Sequence, residues 1–251
     1  MSKSVRLDTL LVERGLAASR ERAKAMIIAG QVRVDGHPAT KAGATFPPTA
    51  TVTLTTPDHP YVSRGGLKLA HALDAFRIDV RGRLALDIGA STGGFTDVLL
   101  QRGAARVVAL DVGHGQLDWR LRNDPRVVVI ERVNARSLAA DMLPADARTF
   151  QIVTIDVSFI SLRHILPVVP PLLGPGGDVI ALVKPQFEAG RREVARGGIV
   201  RDDAIHARVV EEIAAAADAL GLRRAGFTDS PISGMEGNKE FLLHVRPSGS
   251  D

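Results

Sequence analysis

Apolar residues recur along this chain in two rhythms, and the rhythm changes near residue 60. Leu7, Leu10 and Leu11 fall at helical spacing and give way to Gly15, the residue type that most readily ends a helix. Ser19 is placed to cap a second helix running to Gly30, on which Ala23, Met26 and Ile27 make the apolar stripe. Val32 and Val34 alternate around Arg33 before Asp35-Gly36, the pattern of a strand running into a tight turn. The alternating stretch 51–54 is available to pair with that strand. Two prolines in Thr56-Pro57-Asp58-His59-Pro60 mark a hinge. The pattern therefore divides the chain into a small α+β domain, 1–60, and a larger domain, 61–251.

From residue 61, short aliphatic runs alternate with helical stretches. Residues 84–88, 107–112, 127–130, 152–157 and 178–183 read as strands, and 96–101 and 204–220 as helices. Strands separated in this way predict an α/β, Rossmann-like domain whose mostly parallel sheet is covered on both faces. Two further runs, 224–229 and 241–245, are joined by SPISGMEGNK. That join is too short and too rich in glycine for another helical crossover, which predicts an antiparallel last strand.

Charge sharpens the division. Residues 1–60 hold eight Lys/Arg against five Asp/Glu, whereas residues 61–251 hold 24 against 23. Most of the excess behind an isoelectric point near 9.8 thus lies in the first quarter of the chain, which points to a polyanionic partner for that domain. The absence of cysteine excludes disulfides and thiolate metal sites, and no metal is expected. The opening MSKSVRLD has no apolar run, and no stretch approaches the roughly 18 apolar residues of a membrane span. A cytoplasmic location with no membrane partner is expected.

The first strand of the larger domain runs into Asp87-Ile88-Gly89-Ala90-Ser91-Thr92-Gly93-Gly94-Phe95, which opens a helix. Glycines let the backbone approach a ligand, and a strand-to-helix loop at the carboxyl edge of a parallel sheet is where such ligands bind. Gly89, Ser91, Thr92, Gly93, Gly94 and Phe95 are the cofactor-loop candidates. Asp111 closes the second strand, where an acid suits the two hydroxyls of a ribose. A glycine-rich turn alone would serve NAD as well. Asp87, able to bond an amino-acid ammonium, the missing G-x-G-x-x-G spacing and the antiparallel last strand together favour S-adenosylmethionine. Asn134, past the third strand, is a candidate for the adenine edge or a turn residue.

Only six of the 32 cationic residues are lysines, so each lysine asks for a reason. An amine can give up its proton and act as a base, whereas a guanidinium effectively cannot. Lys68 stands near the start of the helix before the first strand, Asp156 at the end of the fourth strand, Lys184 at the end of the fifth and Glu240 at the start of the last. Asp156 and Lys184 thereby share the sheet edge that carries the cofactor loop. The stretch 187–201, with Arg191, Arg192, Arg196 and Arg201 among glycines, reads as a mobile cationic loop that closes over an RNA backbone. Its plain alternative is an ordinary solvated loop.

Two resemblances add to this reading. RLDTLLVERGLAASRERAKAMIIAGQVRVDG resembles the RNA-binding domain of ribosomal protein S4, which would cast Arg6, Arg20, Arg22, Lys24 and Arg33 as phosphate contacts. Arg64, in SRGGLKLAHAL, and Arg191 and Arg192 join them as RNA-contacting candidates. LDIGASTGGFTD, IDVSFISL, VKPQFE and SPISGMEGNKEFL together resemble the TlyA ribosomal RNA 2′-O-methyltransferases, sometimes labelled hemolysins, with an FtsJ-like catalytic domain. That resemblance implies a catalytic set of Lys68, Asp156, Lys184 and Glu240. It also implies the cytidine 2′-hydroxyl of small-subunit (16S) and often large-subunit (23S) ribosomal RNA as substrate. Methyl transfer to a hydroxyl is an in-line displacement that must orient the oxygen and help remove its proton. Lys184 is read as the group nearest the hydroxyl, either as a base or as a donor that steers a lone pair, with Asp156 and Glu240 holding the lysines. A non-catalytic RNA-binding assembly factor remains the alternative.

Overall fold

The computed structural model describes residues 4–17, 19–28, 30–54, 59–234 and 237–249. Residues 56–58 of the expected hinge lie outside them. The chain divides into two compact units, Met1–Pro60 and Tyr61–Asp251.

The first unit contains β1 (Val5–Arg6), α1 (Leu7–Glu13), α2 (Arg20–Ile28), β2 (Val32–Val34), β3 (His37–Pro38), β4 (Thr45–Phe46) and β5 (Val52–Leu54). The apolar stripes of α1 and α2 meet in a core completed by Val32, Val34 and Val52. Ser19 Oγ accepts from the Arg22 backbone N–H at 3.1 Å, the cap that the spacing predicts. Asp35 and Gly36 both take positive φ, 49° and 80°, so the β2–β3 turn follows the natural strand twist. β5 pairs antiparallel with β2 in the register Val32↔Leu54, again as the alternation predicts.

The second unit contains α3 (Gly65–Phe76), β6 (Leu84–Ile88), α4 (Gly94–Gln101), β7 (Arg106–Asp111), α5 (Trp119–Arg122), β8 (Val127–Glu131), β9 (Phe150–Ile155), β10 (Leu173–Val183), α6 (Pro185–Glu188), α7 (Asp203–Asp218), β11 (Leu222–Asp229) and β12 (Phe241–Pro247). Seven strands form one sheet in the order β11-β12-β10-β9-β6-β7-β8. β6 to β10 pair in parallel, whereas β12 is antiparallel to both β10 and β11. Only the last strand is reversed, because β11 still runs with β10.

Alternation along each strand feeds two cores. Leu86, Ile88, Val153 and Val179 pack on one face with Val209, Val210 and Ile213 of α7. Ala85, Val107, Ile152 and Ile180 pack on the other with Leu69 and Leu73 of α3 and Val98 and Leu99 of α4. Each fully buried aliphatic side chain contributes about 1.5–3 kcal/mol of transfer free energy. The β9–β10 connection is three short 3₁₀ turns and no α-helix. Pro167, Pro170 and Pro171 remove the backbone donors that a longer helix would need.

The chain lays β6, β7 and β8 outward to one side and then returns to place β9 and β10 on the other, so the order reverses between β6 and β9. Ligands of open α/β sheets bind at the carboxyl ends of the strands beside such a reversal. No helix among the described residues is long and apolar enough to cross a membrane.

Candidate active site

The loop after β6 is shaped by its glycines. Gly89 has φ of +86°, and a Cβ there would collide with the carbonyl oxygen of Asp156, so only glycine lets the ends of β6 and β9 meet at the reversal. Gly93, at +95°, begins α4 where a Cβ would run into Leu117 and Leu121. Between them the Ser91 N–H donates to Asp111 Oδ2 at 2.8 Å, and the Gly113 N–H donates to Asp111 Oδ1 at 2.6 Å. The carboxylate of Asp111 is thereby held at the end of β7, with a further lone pair on each oxygen for a ligand.

Beside it lies a shallow cleft bounded by Ser91, Asp111, Gly113, Gln116, Val129 and Glu131. Gln116 and Glu131 are polar residues of this cleft that sequence reasoning missed. Gln116 Oε1 accepts from the Ser91 hydroxyl at 3.1 Å, spanning the two loops. Glu131 is the register partner of Asp111 on β8. The Arg122 guanidinium holds its carboxyl down at about 2, helped by His114 and the Gly115 N–H. The ladder position opposite Asp111 is the signal that could have found it.

Other loop candidates lie beneath or outside this cleft. Asp87 is fully buried, accepting from the Thr96 hydroxyl at 2.7 Å and the Thr154 hydroxyl at 2.9 Å. Burial pushes its carboxyl up to about 6, although the two hydroxyls oppose that shift. Phe95 packs into the core against α3, and Gly94 leaves room for Ser63. Thr92 is exposed, and its carbonyl accepts from the Asp118 N–H at 3.2 Å. Asn134 is exposed and caps the turn at Ala135–Ser137 by accepting from the Arg136 N–H at 3.0 Å.

The four lysine and acid candidates form two ion pairs. Lys68, on α3, is bonded to Glu240 Oε2, and both are buried. Lys184 follows β10 directly, its Nζ lying 2.6 Å from Asp156 Oδ1 and donating to Ser158 Oγ at 2.9 Å. Register explains the convergence. Val183 pairs with Phe241, so Lys184 and Glu240 lie one residue beyond the same rung, while Asp156 follows Ile155, the partner of Ala181 and of Ile88. β9 stops at Ile155, one residue short of Asp156 and two short of the predicted end, which frees the carboxylate to turn toward Lys184. Ser158, inside the IDVSFISL motif, was not singled out by sequence. Phe159 next to it is 88% exposed, and its ring centroid lies 5.1 Å from that of Phe187.

The arginines proposed for RNA behave unequally. Arg6 donates to the buried Asp8 through Nε at 3.0 Å and Nη2 at 2.8 Å, and Arg20 adds a contact at 3.2 Å. Hydrogen bonds from Arg6 above all hold Asp8 far below the usual carboxylate range. Arg22 donates to the His59 carbonyl at 2.9 Å and Arg33 to the Gly36 carbonyl at 2.8 Å. Lys24, Arg191 and Arg192 are exposed, and Arg64 is half-buried at the start of α3. Beyond α6 the stretch 187–201 is built of bonded turns. Gly190 and Glu193 close one turn, Ala195 bridges Ile199, and Asn238 bonds both the Gly198 carbonyl and the Val200 N–H.

Comparison with known proteins finds a match for each of the two units. The FtsJ-like methyltransferase profile covers residues 61–246, and the S4 domain profile covers 5–52. The 16S/23S rRNA (cytidine-2′-O)-methyltransferase TlyA of Mycobacterium tuberculosis is 49% identical over 98% of this chain and 91% of its own length. A solved structure from Streptococcus thermophilus labelled a hemolysin superposes with a TM-score of 0.77 at 44% identity, covering 100% of this chain and 90% of its own. A solved structure from Listeria monocytogenes, labelled an S-adenosylmethionine-dependent methyltransferase, shares the fold at a TM-score of 0.54 and 18% identity, over 74% of this chain and 100% of its own.

Proposed function

The chain belongs to the TlyA family of FtsJ-like methyltransferases, and from that premise we propose that it methylates the 2′-hydroxyl of cytidine in 16S ribosomal RNA, and in 23S as well. Residues 61–251 carry out the transfer, and residues 1–60 bind the RNA. The enzyme works in the cytoplasm, on ribosomal RNA or ribosomal subunits. The observation that carries this reading is the Lys184–Asp156 ion pair at the strand reversal, one residue past the β-ladder and beside the Gly89 turn.

The cofactor of this reading is S-adenosylmethionine. The cleft fits it on two counts: a carboxylate fixed by two backbone N–H groups for a diol, and a turn that no Cβ could occupy. When bound, S-adenosylmethionine supplies a methyl group on a sulfonium. Asp111 would hold the ribose hydroxyls, with Ser91 and Gln116 beside it. Asp87 acts from below, by fixing Thr96 and Thr154 under the loop.

The chain's remaining task is to present the substrate oxygen in line and manage its proton. Lys184 is the group nearest that hydroxyl. As an amine it takes the proton, and as an ammonium it donates to the oxygen and aims a lone pair at the methyl carbon. Asp156 and Ser158 fix its Nζ, while the Lys68–Glu240 pair closes the neighbouring side of the site. Lys184→Arg separates the two roles, because a guanidinium donates but does not accept a proton. Activity retained by the arginine variant favours steering.

Transfer of labelled methyl from S-adenosylmethionine to rRNA, with the product mapped for ribose methylation in 16S and 23S, tests the whole reading. Methylated cytidine in rRNA is the expected result. Tight RNA binding with no transfer to naked rRNA or to either subunit would leave the protein a binding factor.

A further inference from the structure

Glu188 is buried, yet the chemistry above gives it no task. It ends α6, four residues after Lys184, and its carboxylate reaches back to the segment that follows β9. Oε1 accepts from the Leu162 backbone N–H at 2.7 Å, and Oε2 accepts from the Ser161 hydroxyl at 2.5 Å. Burial pushes this carboxyl above its ordinary value in spite of both bonds. A buried acid carries a desolvation cost that only its bonds offset, so its placement needs a reason elsewhere.

The gripped segment, 156–162, is the one that brings Asp156 and Ser158 to Lys184 Nζ, at 2.6 and 2.9 Å. Inside it Phe159 holds φ of +63°, a conformation that a non-glycine side chain keeps only where its surroundings impose it. The segment and the stretch 184–188 are therefore fastened at both ends, by Lys184 at the first residue and by Glu188 at the last.

We propose that Glu188 is a positioning residue for methyl transfer, holding segment 156–162 against α6 so that Asp156 and Ser158 meet the Lys184 amine. The proposal rests on the role given to Lys184 above. Losing the carboxylate displaces the reacting group without deleting it, and a shift of about 1 Å at such a group costs on the order of 100-fold. Glu188→Ala is expected to lower kcat by about 10–100-fold, with the KM for RNA and the Kd for S-adenosylmethionine moving by less than about twofold. Glu188→Gln is expected to recover most of kcat, because its amide oxygen accepts from Leu162 while its NH₂ donates to the Ser161 oxygen.

The experiment is steady-state kinetics on these two variants and Lys184→Ala, with cofactor binding measured in parallel. Wild-type kcat in Glu188→Ala while Lys184→Ala is inactive overturns the positioning role alone. Equal losses of kcat and cofactor affinity in the Ala and Gln variants overturn it too, since a general loss of packing would act that way. An active Lys184→Ala removes the reading on which the proposal stands. If Glu188→Ala does not fold, Ser161→Ala decides: a several-fold fall in kcat at unchanged KM supports the grip, and wild-type kcat overturns it.

Discussion

Two carboxylates are sealed inside the same sheet, and they are treated in opposite ways. Asp178, at the amino edge, accepts from Arg83 at 2.5 Å, Arg246 at 2.7 Å and His244 at 2.8 Å. Burial opposes its ionisation, but bonds from His244, Arg83 and Arg246 overcome that and hold its carboxyl well below the usual range. Asp87, near the carboxyl edge, has two hydroxyls and no cation, and burial pushes it up to about 6. Both side chains are 0% exposed, so the partners make the difference. The amino edge places its cations where they stabilise the sheet. The carboxyl edge commits its lysines to Asp156 and Glu240, at the lip of the proposed site, and leaves Asp87 without one.

The largest expected effect attacks the carboxyl edge. On the proposed reading Lys184→Ala lowers methyl transfer by about 100- to 10,000-fold, the range for losing a positioned proton-transfer group. Its urea midpoint should stay within a few tenths molar of wild type. Asp178→Ala should do the reverse. Removing the centre of a buried charged cluster costs about 3–5 kcal/mol, read as a lower urea midpoint, while turnover per folded molecule is kept. If Asp178→Ala instead lost activity at unchanged stability, the division of labour between the edges would be wrong.

Asp87→Asn sharpens the same contrast through pH. A buried acid with a raised folded value binds its proton more tightly in the native state, so its contribution to stability falls as pH rises from about 3.8 through 6. The loss amounts to roughly 2–3 kcal/mol by linkage. Asp178 works in the other sense: its stabilisation is full above 3.8 and is lost only as pH falls through its depressed folded value. Denaturant titrations at pH 4.5 and pH 7 should therefore show Asp87→Asn gaining stability relative to wild type toward pH 7. Identical slopes of stability against pH in the two proteins would remove Asp87 as the cause of that loss.

How much of this was legible in the sequence follows from the range of the forces. The sheet and the single reversed strand were readable because periodicity and turn chemistry are local. Asp156, Lys184 and Glu240 were readable as strand ends and Lys68 as a helix start, but their pairing as Lys68–Glu240 and Lys184–Asp156 was not, since it depends on the rungs Val183↔Phe241 and Ile155↔Ala181. Glu131 stayed hidden for the same reason: its link to Asp111 is across a ladder, not along the chain. The stretch 187–201 was read from its glycines and arginines alone, and its bonds to a distant residue were not legible. Asn238, some forty residues away, supplies the bonds that shape it.

The smallest expected effect compares arginines at the two edges. Arg191 and Arg192 are exposed, and the RNA role proposed for them is electrostatic. Arg191→Ala with Arg192→Ala should weaken rRNA binding by about 3–10-fold at moderate salt and reduce the slope of log affinity against log salt by about one for each phosphate contact removed. Stability should shift by less than about 0.5 kcal/mol, as for surface substitutions in general. Arg83→Ala should leave that salt slope alone and lower the urea midpoint, because its guanidinium is engaged with Asp178. Should the paired 191/192 change leave the salt dependence intact, the RNA role proposed for these two arginines is wrong.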